Sequence, residues 1–224
     1  MPGATAPTAG PGLLLRVAEE LRFLLPRTAR TTGVLRSEEV GAGAGHVVQA
    51  AGVPLTEVGT LLLDGRPVGA AERVGPGAVL AVAPVRRPQP VPAGGFLLDV
   101  HHGALARRLR LLGLDAAYRN DADDPGLVAR AAAEDRVLLT QDRGLLMRRA
   151  LPRGALVRGR TTAEQLADVL ERFAPATAPL TRCPACNGPL HDVAKADVAD
   201  RLPPGTRRGY EQFREFGACR RLYW

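Results

Sequence analysis

Aspartates follow three short apolar segments in the second half of the chain. Asp99 closes FLLD, Asp142 follows VLLTQ, and Asp121, Asp123 and Asp124 stand in NDADDPG. Crowded carboxylates repel one another unless a cation lies between them, and hard oxygen ligands suit Mg²⁺ or Mn²⁺. Such an ion can activate water and orient a phosphodiester, and arginines can hold the phosphates. The pattern predicts phosphodiester hydrolysis if the fold brings these acids together.

The segments around the acids alternate between strand and helix patterns. Apolar runs predict strands at 96–99, 116–118, 137–140 and 155–159, and helical periodicity predicts helices at 104–112, 125–134, 144–149 and 161–173. Asp124 before Pro125 is predicted as one N-cap, and Thr161 or Thr162 with Glu164 fits a capping box. Alternating strands and helices form a mostly parallel sheet, and ligands bind at the carboxyl ends of its strands. We expect the acids at that edge.

Each acid also has a purely structural interpretation. Asp124 can serve only as an N-cap, Asp142 can serve as a turn residue, and Asp115 is interpreted as a turn residue. Asp99 is the hardest to explain in this way, because an acid that ends an apolar strand gains little from the fold. Three acids at three strand ends favour the catalytic interpretation.

Residues 13–85 are predicted to form a small α+β domain. Its elements are strands at 13–18, 31–35 and 78–85, a helix at 46–52, and a hairpin at 58–69 that turns at Asp64-Gly65. The order resembles the β-grasp of ubiquitin and of small sulfur-carrier proteins. Such carriers end in a free Gly-Gly, whereas Gly94-Gly95 is followed by more than a hundred residues. Residues 86–95 are therefore predicted to be a linker, and residues 1–12 a flexible tail.

Composition limits the compartment and the partners. A net charge of +7 favours an anionic partner such as nucleic acid, but only Lys195 among the 30 basic residues is lysine, a bias that a GC-rich genome also produces. No apolar run approaches the roughly 18 residues of a membrane span, and the N-terminus lacks a signal-peptide pattern. Three cysteines, two of them spaced as Cys183-x-x-Cys186, argue for a metal site in a reducing compartment. We expect a cytoplasmic protein that does not associate with membranes.

Three stretches together resemble the Mut-seven C-terminal RNase domain family: FLLDVHHGALARRLRLLGLD, YRNDADDPGLVARAAAEDRVLLTQDRGLL and LTRCPACNGPL. The resemblance implies an α/β fold with a PIN-like parallel-sheet nuclease domain at 96–176 and a zinc ribbon at 177–224. It also implies a ubiquitin-like domain before them, matching the predicted β-grasp. The implied activity is that of a metal-dependent ribonuclease, with RNA as its partner.

The resemblance also implies site residues. The implied ligands for Mg²⁺ or Mn²⁺ are Asp99, Asp124 and Asp142, with Asp123 as a weaker neighbour. The arginines that match the family are Arg107, Arg110 and Arg143, as substrate-binding or structural residues.

The sequence departs from the family at two places. His101-His102 replaces apolar residues; one histidine contacts phosphate in the cleft, or the pair faces solvent. In the ribbon, Cys183 and Cys186 form one knuckle, but the second offers only Cys219, with Phe216 where its partner is expected. A zinc ribbon needs four ligands. Either His191 or an outside ligand completes the set, or Phe216 packs with Phe213, Tyr223 and Trp224 in a ribbon without metal. We expect weakened or lost zinc binding.

The predicted function is metal-dependent hydrolysis of RNA. A phosphotransferase that forms an aspartyl-phosphate would need a second acid two residues after Asp99, where His101 stands. The alternative is a non-catalytic RNA-binding adaptor with a vestigial acidic site. Metal-dependent cleavage that is lost in Asp142→Asn separates the two, and the partner of the N-terminal domain is not predicted.

Overall fold

The chain divides into two units in the computed structural model, which describes residues 12–224. The first unit contains residues 12–87 and 142–149, and the second contains residues 88–141 and 150–224. The predicted tail lies outside the described residues, apart from Gly12. No helix in the described part of the chain is long and apolar enough to cross a membrane.

Residues 12–87 of the first unit form a five-stranded β-grasp sheet and one α-helix. The strands are β1 (Leu13–Val17), β2 (Val34–Ser37), β3 (Val58–Leu63), β4 (Arg66–Val68) and β5 (Val79–Pro84), and the helix is α1 (Ala44–Ala50). The strand order is β2-β1-β5-β3-β4, in which only β1 and β5 are parallel. The predicted hairpin turns at Asp64 and Gly65, both at positive φ as a tight turn between strands requires. The predicted strand at 31–35 instead begins at Val34, because Gly33 at positive φ forms the preceding turn.

The second unit contains the parallel sheet that the alternating pattern predicts. Its strands are β6 (Phe96–Leu98), β7 (Ala116–Tyr118), β8 (Val137–Thr140) and β9 (Gly154–Leu156), in the order β7-β6-β8-β9, all parallel. The helices are α2 (Gly103–Leu111), α3 (Asp124–Ala133) and α5 (Thr162–Phe173), whereas α4 (Arg143–Leu146) belongs to the first unit. A buried cluster that includes Phe96, Leu98, Leu109 and Phe173 forms the core. The predicted capping box is present, with Thr161 as the N-cap and Glu164 at N3.

The C-terminal part of the second unit is a small three-stranded sheet. Strands β10 (His191–Val193), β11 (Phe213–Glu215) and β12 (Leu222–Tyr223) are antiparallel in that order. Two short helices, α6 (Lys195–Val198) and α7 (Pro204–Gly209), lie between β10 and β11 in the chain. Its core is a separate cluster around Val198, Leu202 and Phe213.

Candidate functional site

Asp99 stands directly after the central strand β6 and is almost fully buried. It is the N-cap of a 3-10 turn at Val100–His102, where its Oδ1 accepts hydrogen bonds from the backbone N–H of His101 (2.9 Å) and from Nδ1 of His102 (2.5 Å). Its Oδ2 accepts a short hydrogen bond from the Thr140 hydroxyl at the end of β8. Burial opposes ionisation, but the bonds from His102 and Thr140 outweigh it and hold the pKa of Asp99 below its ordinary value. These bonds therefore hold the Asp99 carboxyl in one orientation and favour its ionised form.

The two adjacent histidines have different surroundings. His101 is exposed, whereas His102 is only 3% exposed, so the prediction that the pair faces solvent is wrong for His102. Its Nδ1 is bonded to Asp99, while its Nε2 is buried and has no hydrogen-bond partner among residues 12–224. Asp99 accounts for the burial, because a carboxylate that accepts from one ring nitrogen fixes the imidazole in place.

The acids after β7 stand at the start of α3. Asp123, not Asp124, is the N-cap, since its Oδ1 accepts a hydrogen bond from the Gly126 N–H at 2.9 Å. Asp124 is the first residue of α3 and half-buried, and Pro125 follows it in the first turn. The predicted cap is thus shifted by one residue. Asp121 pairs with Arg119 on the surface.

Asp142 comes two residues after β8 and caps α4. Its Oδ1 accepts hydrogen bonds from the backbone N–H groups of Gly144 (2.7 Å) and Leu145 (3.3 Å). The structural interpretation of Asp142 therefore describes its local contacts. Arg143, the next residue, donates to the Leu24 carbonyl at 2.7 Å within the first unit. That contact gives Arg143 a structural role.

The predicted acids come after neighbouring strands in the chain. Asp99 follows β6, Asp123 and Asp124 follow β7, and Asp142 follows β8 along the chain, and β6 lies between the other two strands. Across residues 12–224, only three cysteines form a group of potential ligands with all ligand atoms within 4.8 Å of one another. Asp99, Asp123 and Asp142 each accept hydrogen bonds from residues close to them in sequence.

The cysteine group consists of Cys183, Cys186 and Cys219. The sulfurs of Cys183 and Cys219 are 3.7 Å apart, close to the roughly 3.8 Å between two sulfurs of a tetrahedral zinc site with Zn–S bonds of about 2.3 Å. Three soft thiolates at this spacing suit zinc. The Tyr223 hydroxyl lies 3.1 Å from the Cys183 sulfur. Burial opposes ionisation of Cys183, but hydrogen bonds from Tyr223 and Cys186 lower its pKa to about 7, while burial raises that of Cys186 to about 11.

In the described part of the ribbon, neither His191 as a fourth ligand nor an aromatic cluster around Phe216 is found beside the three cysteines. His191 is an exposed residue of β10 and does not belong to the cysteine group. The Phe216 ring lies against Gly188, where an added Cβ would come within 2.2 Å of the ring. Phe213 instead packs with Val198 and Leu202. Phe213, Phe216 and Tyr223 thus have different neighbours, and Trp224 is half exposed.

Arg110 fastens the first cysteine knuckle to the parallel-sheet domain. It is 4% exposed, and its guanidinium donates to the carbonyls of Ala116 (2.8 Å), Pro184 (3.2 Å) and Ala185 (2.9 Å). Pro184 and Ala185 are the two residues between Cys183 and Cys186. Arg110 is a structural arginine of the site, whereas Arg107 on the same helix is exposed.

Asp115 has a role that the sequence analysis missed. Instead of serving only as a turn residue, it accepts from Arg136 (2.7 Å), Arg182 (3.0 Å) and the Asn187 amide (2.9 Å). Burial opposes its ionisation, but the Arg136 hydrogen bond and the Asn187 amide outweigh that effect and lower its pKa. The sequence around Asp115 gives no indication of these contacts, because Arg182 and Asn187 lie about 70 residues further along the chain.

Comparison with known families covers nearly the whole chain. Residues 94–224 match the family model described as the Mut7-C RNAse domain, and residues 10–90 match the model described as Mut7-C ubiquitin. Nothing among the curated proteins or the solved structures matches the chain.

Proposed function

Because this chain belongs to the Mut7-C RNase domain family, we propose that it is a metal-dependent ribonuclease that hydrolyses RNA phosphodiester bonds. The observation that carries the proposal is the family match over 94–224, a region whose neighbouring parallel strands β7 and β6 are followed by acids. Ligands bind at the carboxyl ends of the strands in such sheets. The acid that follows β6 is Asp99, which is buried.

The proposed metal ligands are Asp99, Asp124 and Asp142, with Asp123 as a neighbour. Their oxygens are the hard donors that Mg²⁺ and Mn²⁺ prefer. Such an ion supplies, when bound, the positive charge that polarises a phosphodiester and activates water. Thr140 and His102 hold the Asp99 carboxylate in one orientation. The carboxylate then does not have to reorient when charge develops nearby during the reaction.

The test is cleavage of a labelled single-stranded RNA with Mn²⁺, Mg²⁺ or EDTA, by wild type and by Asp142→Asn. Asparagine caps helices as well as aspartate does, so the bonds to Gly144 and Leu145 are kept while the negative charge is lost. We expect cleavage only with metal, and a loss of roughly 100-fold or more in the variant. Asp192→Asn is the matched control, since it removes an exposed acid of the ribbon that pairs with Arg214. If Asp142→Asn and wild type cleave equally, Asp142 is not a metal ligand. If neither the wild type nor the variants cleave RNA, the proposed ribonuclease activity is refuted.

One observation favours the alternative of an RNA-binding adaptor. The Asp99 carboxylate accepts three hydrogen bonds within the protein, out of about four lone-pair positions that a carboxylate offers. A residue retained only for the fold would have such contacts. The adaptor predicts RNA binding that is unchanged by Asp142→Asn and by EDTA, without cleavage.

A further inference from the structure

A basic cleft lies within the second unit, between helix α2 and the cysteine-bearing segment. Its volume is about 530 Å³, within the range of roughly 300–1,000 Å³ that is typical of ligand pockets. Three arginines and two tyrosines line it: Arg107, Arg110, Arg221, Tyr118 and Tyr223. In the described part of the chain, no lining residue is acidic. The cleft therefore suits an anionic ligand.

The arginines divide into a fixed group and an exposed pair. Arg110 is buried and held by backbone carbonyls on both sides of the cleft, so it shapes the wall and adds fixed positive charge. Arg107 on α2 and Arg221 just before β12 are exposed. Arg107 and Arg110 are three residues apart and lie on one face of α2. Gly103, four residues before Arg107, lies on the same face. Exposed guanidinium groups on two walls can bind phosphates in a bidentate manner.

Tyr118 provides a rigid aromatic side chain in the same cleft. Its hydroxyl donates to the Val100 carbonyl at 2.9 Å, and its ring lies against Gly103, where an added Cβ would be 2.8 Å from the ring. Tyr223 is held on the other wall by the contact of its hydroxyl with Cys183. Unpaired bases stack on aromatic rings held in this way, whereas a duplex keeps its bases stacked inside.

We propose that this cleft binds a single-stranded segment of RNA, with phosphates at Arg107 and Arg221 and a base stacked on Tyr118. The inference rests on the proposed ribonuclease function and assigns the ribbon a part in substrate binding. Tyr118 ends β7, and residues 123 and 124 follow it, so the same segment of chain leads from the cleft to the proposed acids. The cleft would hold the strand that enters the catalytic site.

The test measures binding by fluorescence anisotropy of a labelled single-stranded RNA, in EDTA so that no cleavage occurs. Wild type is compared with Arg107→Ala/Arg221→Ala across a salt series. Each phosphate contact to a single strand contributes about 0.7 to the slope of log Kobs against log salt, so we expect the double variant to lower the slope by about 1.4. Tyr118→Leu is expected to weaken binding roughly 5- to 150-fold, the usual effect of losing one stacked base, while Tyr118→Phe keeps the ring and the affinity.

Two controls make the result specific. Arg207→Ala/Arg208→Ala removes the same charge from the exposed helix α7 and is expected to leave the slope within about 0.3 of wild type. Arg107→Lys/Arg221→Lys retains the charge and is expected to retain the slope. Thermal unfolding of each variant shows whether it is folded.

The outcomes separate this inference from the proposed function. An unchanged slope in a folded Arg107→Ala/Arg221→Ala variant overturns the cleft, even if the wild type cleaves RNA with metal. A lowered slope in a protein that never cleaves supports the cleft and refutes the ribonuclease. If binding of a duplex RNA depends on Arg107 and Arg221 as strongly as binding of the single strand does, the preference for a single strand is overturned.

Discussion

Asp99→Asn is expected to destabilise the second unit. The side chain is only 7% exposed and accepts hydrogen bonds from the His101 N–H, from Nδ1 of His102 and from the Thr140 hydroxyl. Asparagine keeps the shape but carries no charge, and it replaces one acceptor oxygen with an NH₂ group. The Thr140 hydroxyl can turn to accept from that group, so the bonds weaken rather than disappear.

The size of the effect follows from the number of bonds. A hydrogen bond to a charged group contributes about 1.5–3 kcal/mol to stability and a neutral one about 0.5–1.5 kcal/mol, so three bonds lose about 3 kcal/mol. Relief from burying a charge returns part of this, which leaves about 2 kcal/mol. In a protein of this size, each kcal/mol lowers the Tm by about 2–4 °C, so we expect a decrease of about 4–8 °C.

The pH dependence of this difference is the sharper measurement. Because the pKa of Asp99 is lowered in the folded protein, its contribution is fully present above the unfolded pKa of about 3.9 and is lost as the pH falls through the folded value. The gap in Tm between wild type and Asp99→Asn should stay constant from about pH 7 to pH 5 and narrow below about pH 4. Circular dichroism melts check this, with the exposed cap variant Asp123→Asn, expected within about 1 °C of wild type, as control. A constant gap down to about pH 3, or a variant as stable as wild type, would refute the reasoning.

Three further predictions concern neighbouring parts of the second unit. Arg110→Ala should cost about 3 kcal/mol in urea unfolding, because it leaves three carbonyls without their donor; a cost below about 1 kcal/mol would contradict its fastening role. Gly103→Ala should lower the Tm, because the added Cβ would clash with Tyr118 at a cost of about 1–3 kcal/mol. The control Gly205→Ala should be neutral or stabilising, because nothing lies within 4 Å of an added Cβ there. Equal effects of the two substitutions on the Tm would refute the contact between Gly103 and Tyr118. Phe216→Cys should restore the missing thiolate and raise zinc affinity more than roughly tenfold in chelator competition, and an unchanged affinity would show that residue 216 lies outside the ligand sphere.

Elements with a local signal could be predicted from the sequence. The Asp64-Gly65 turn and the Thr161/Glu164 capping box appear where the pattern places them, because both are formed by residues within four positions of one another. The parallel sheet follows in the same way from short apolar runs that alternate with helical periodicity. The N-cap of α3 was predicted one residue late, since Asp123 and Asp124 are both good caps and only the backbone geometry separates them.

Contacts between distant parts of the chain could not be predicted. Asp115 pairs with Arg182, and Arg110 bonds to carbonyls more than 70 residues later, and neither partnership has a periodicity or a motif. His102 shows the same limit, because it is bonded to Asp99, and Asp99 is itself held by Thr140, which lies 41 residues further along the chain. The sequence offered both a catalytic and a structural interpretation of the acids. The fold adds the hydrogen bonds that each acid accepts, while the catalytic role stays a prediction.

The contacts of Arg110 explain how the ribbon keeps its form with only three cysteines. In a ribbon with four thiolates, the metal holds both knuckles in place and supplies much of the folding energy. Here the carbonyls between Cys183 and Cys186 accept from Arg110, and Asp115 bonds to Arg182 just before the knuckle. The parallel-sheet domain therefore fixes the first knuckle independently of zinc. We therefore expect weaker zinc binding with three cysteines not to unfold the segment, so that the wall that the ribbon gives to the basic cleft persists.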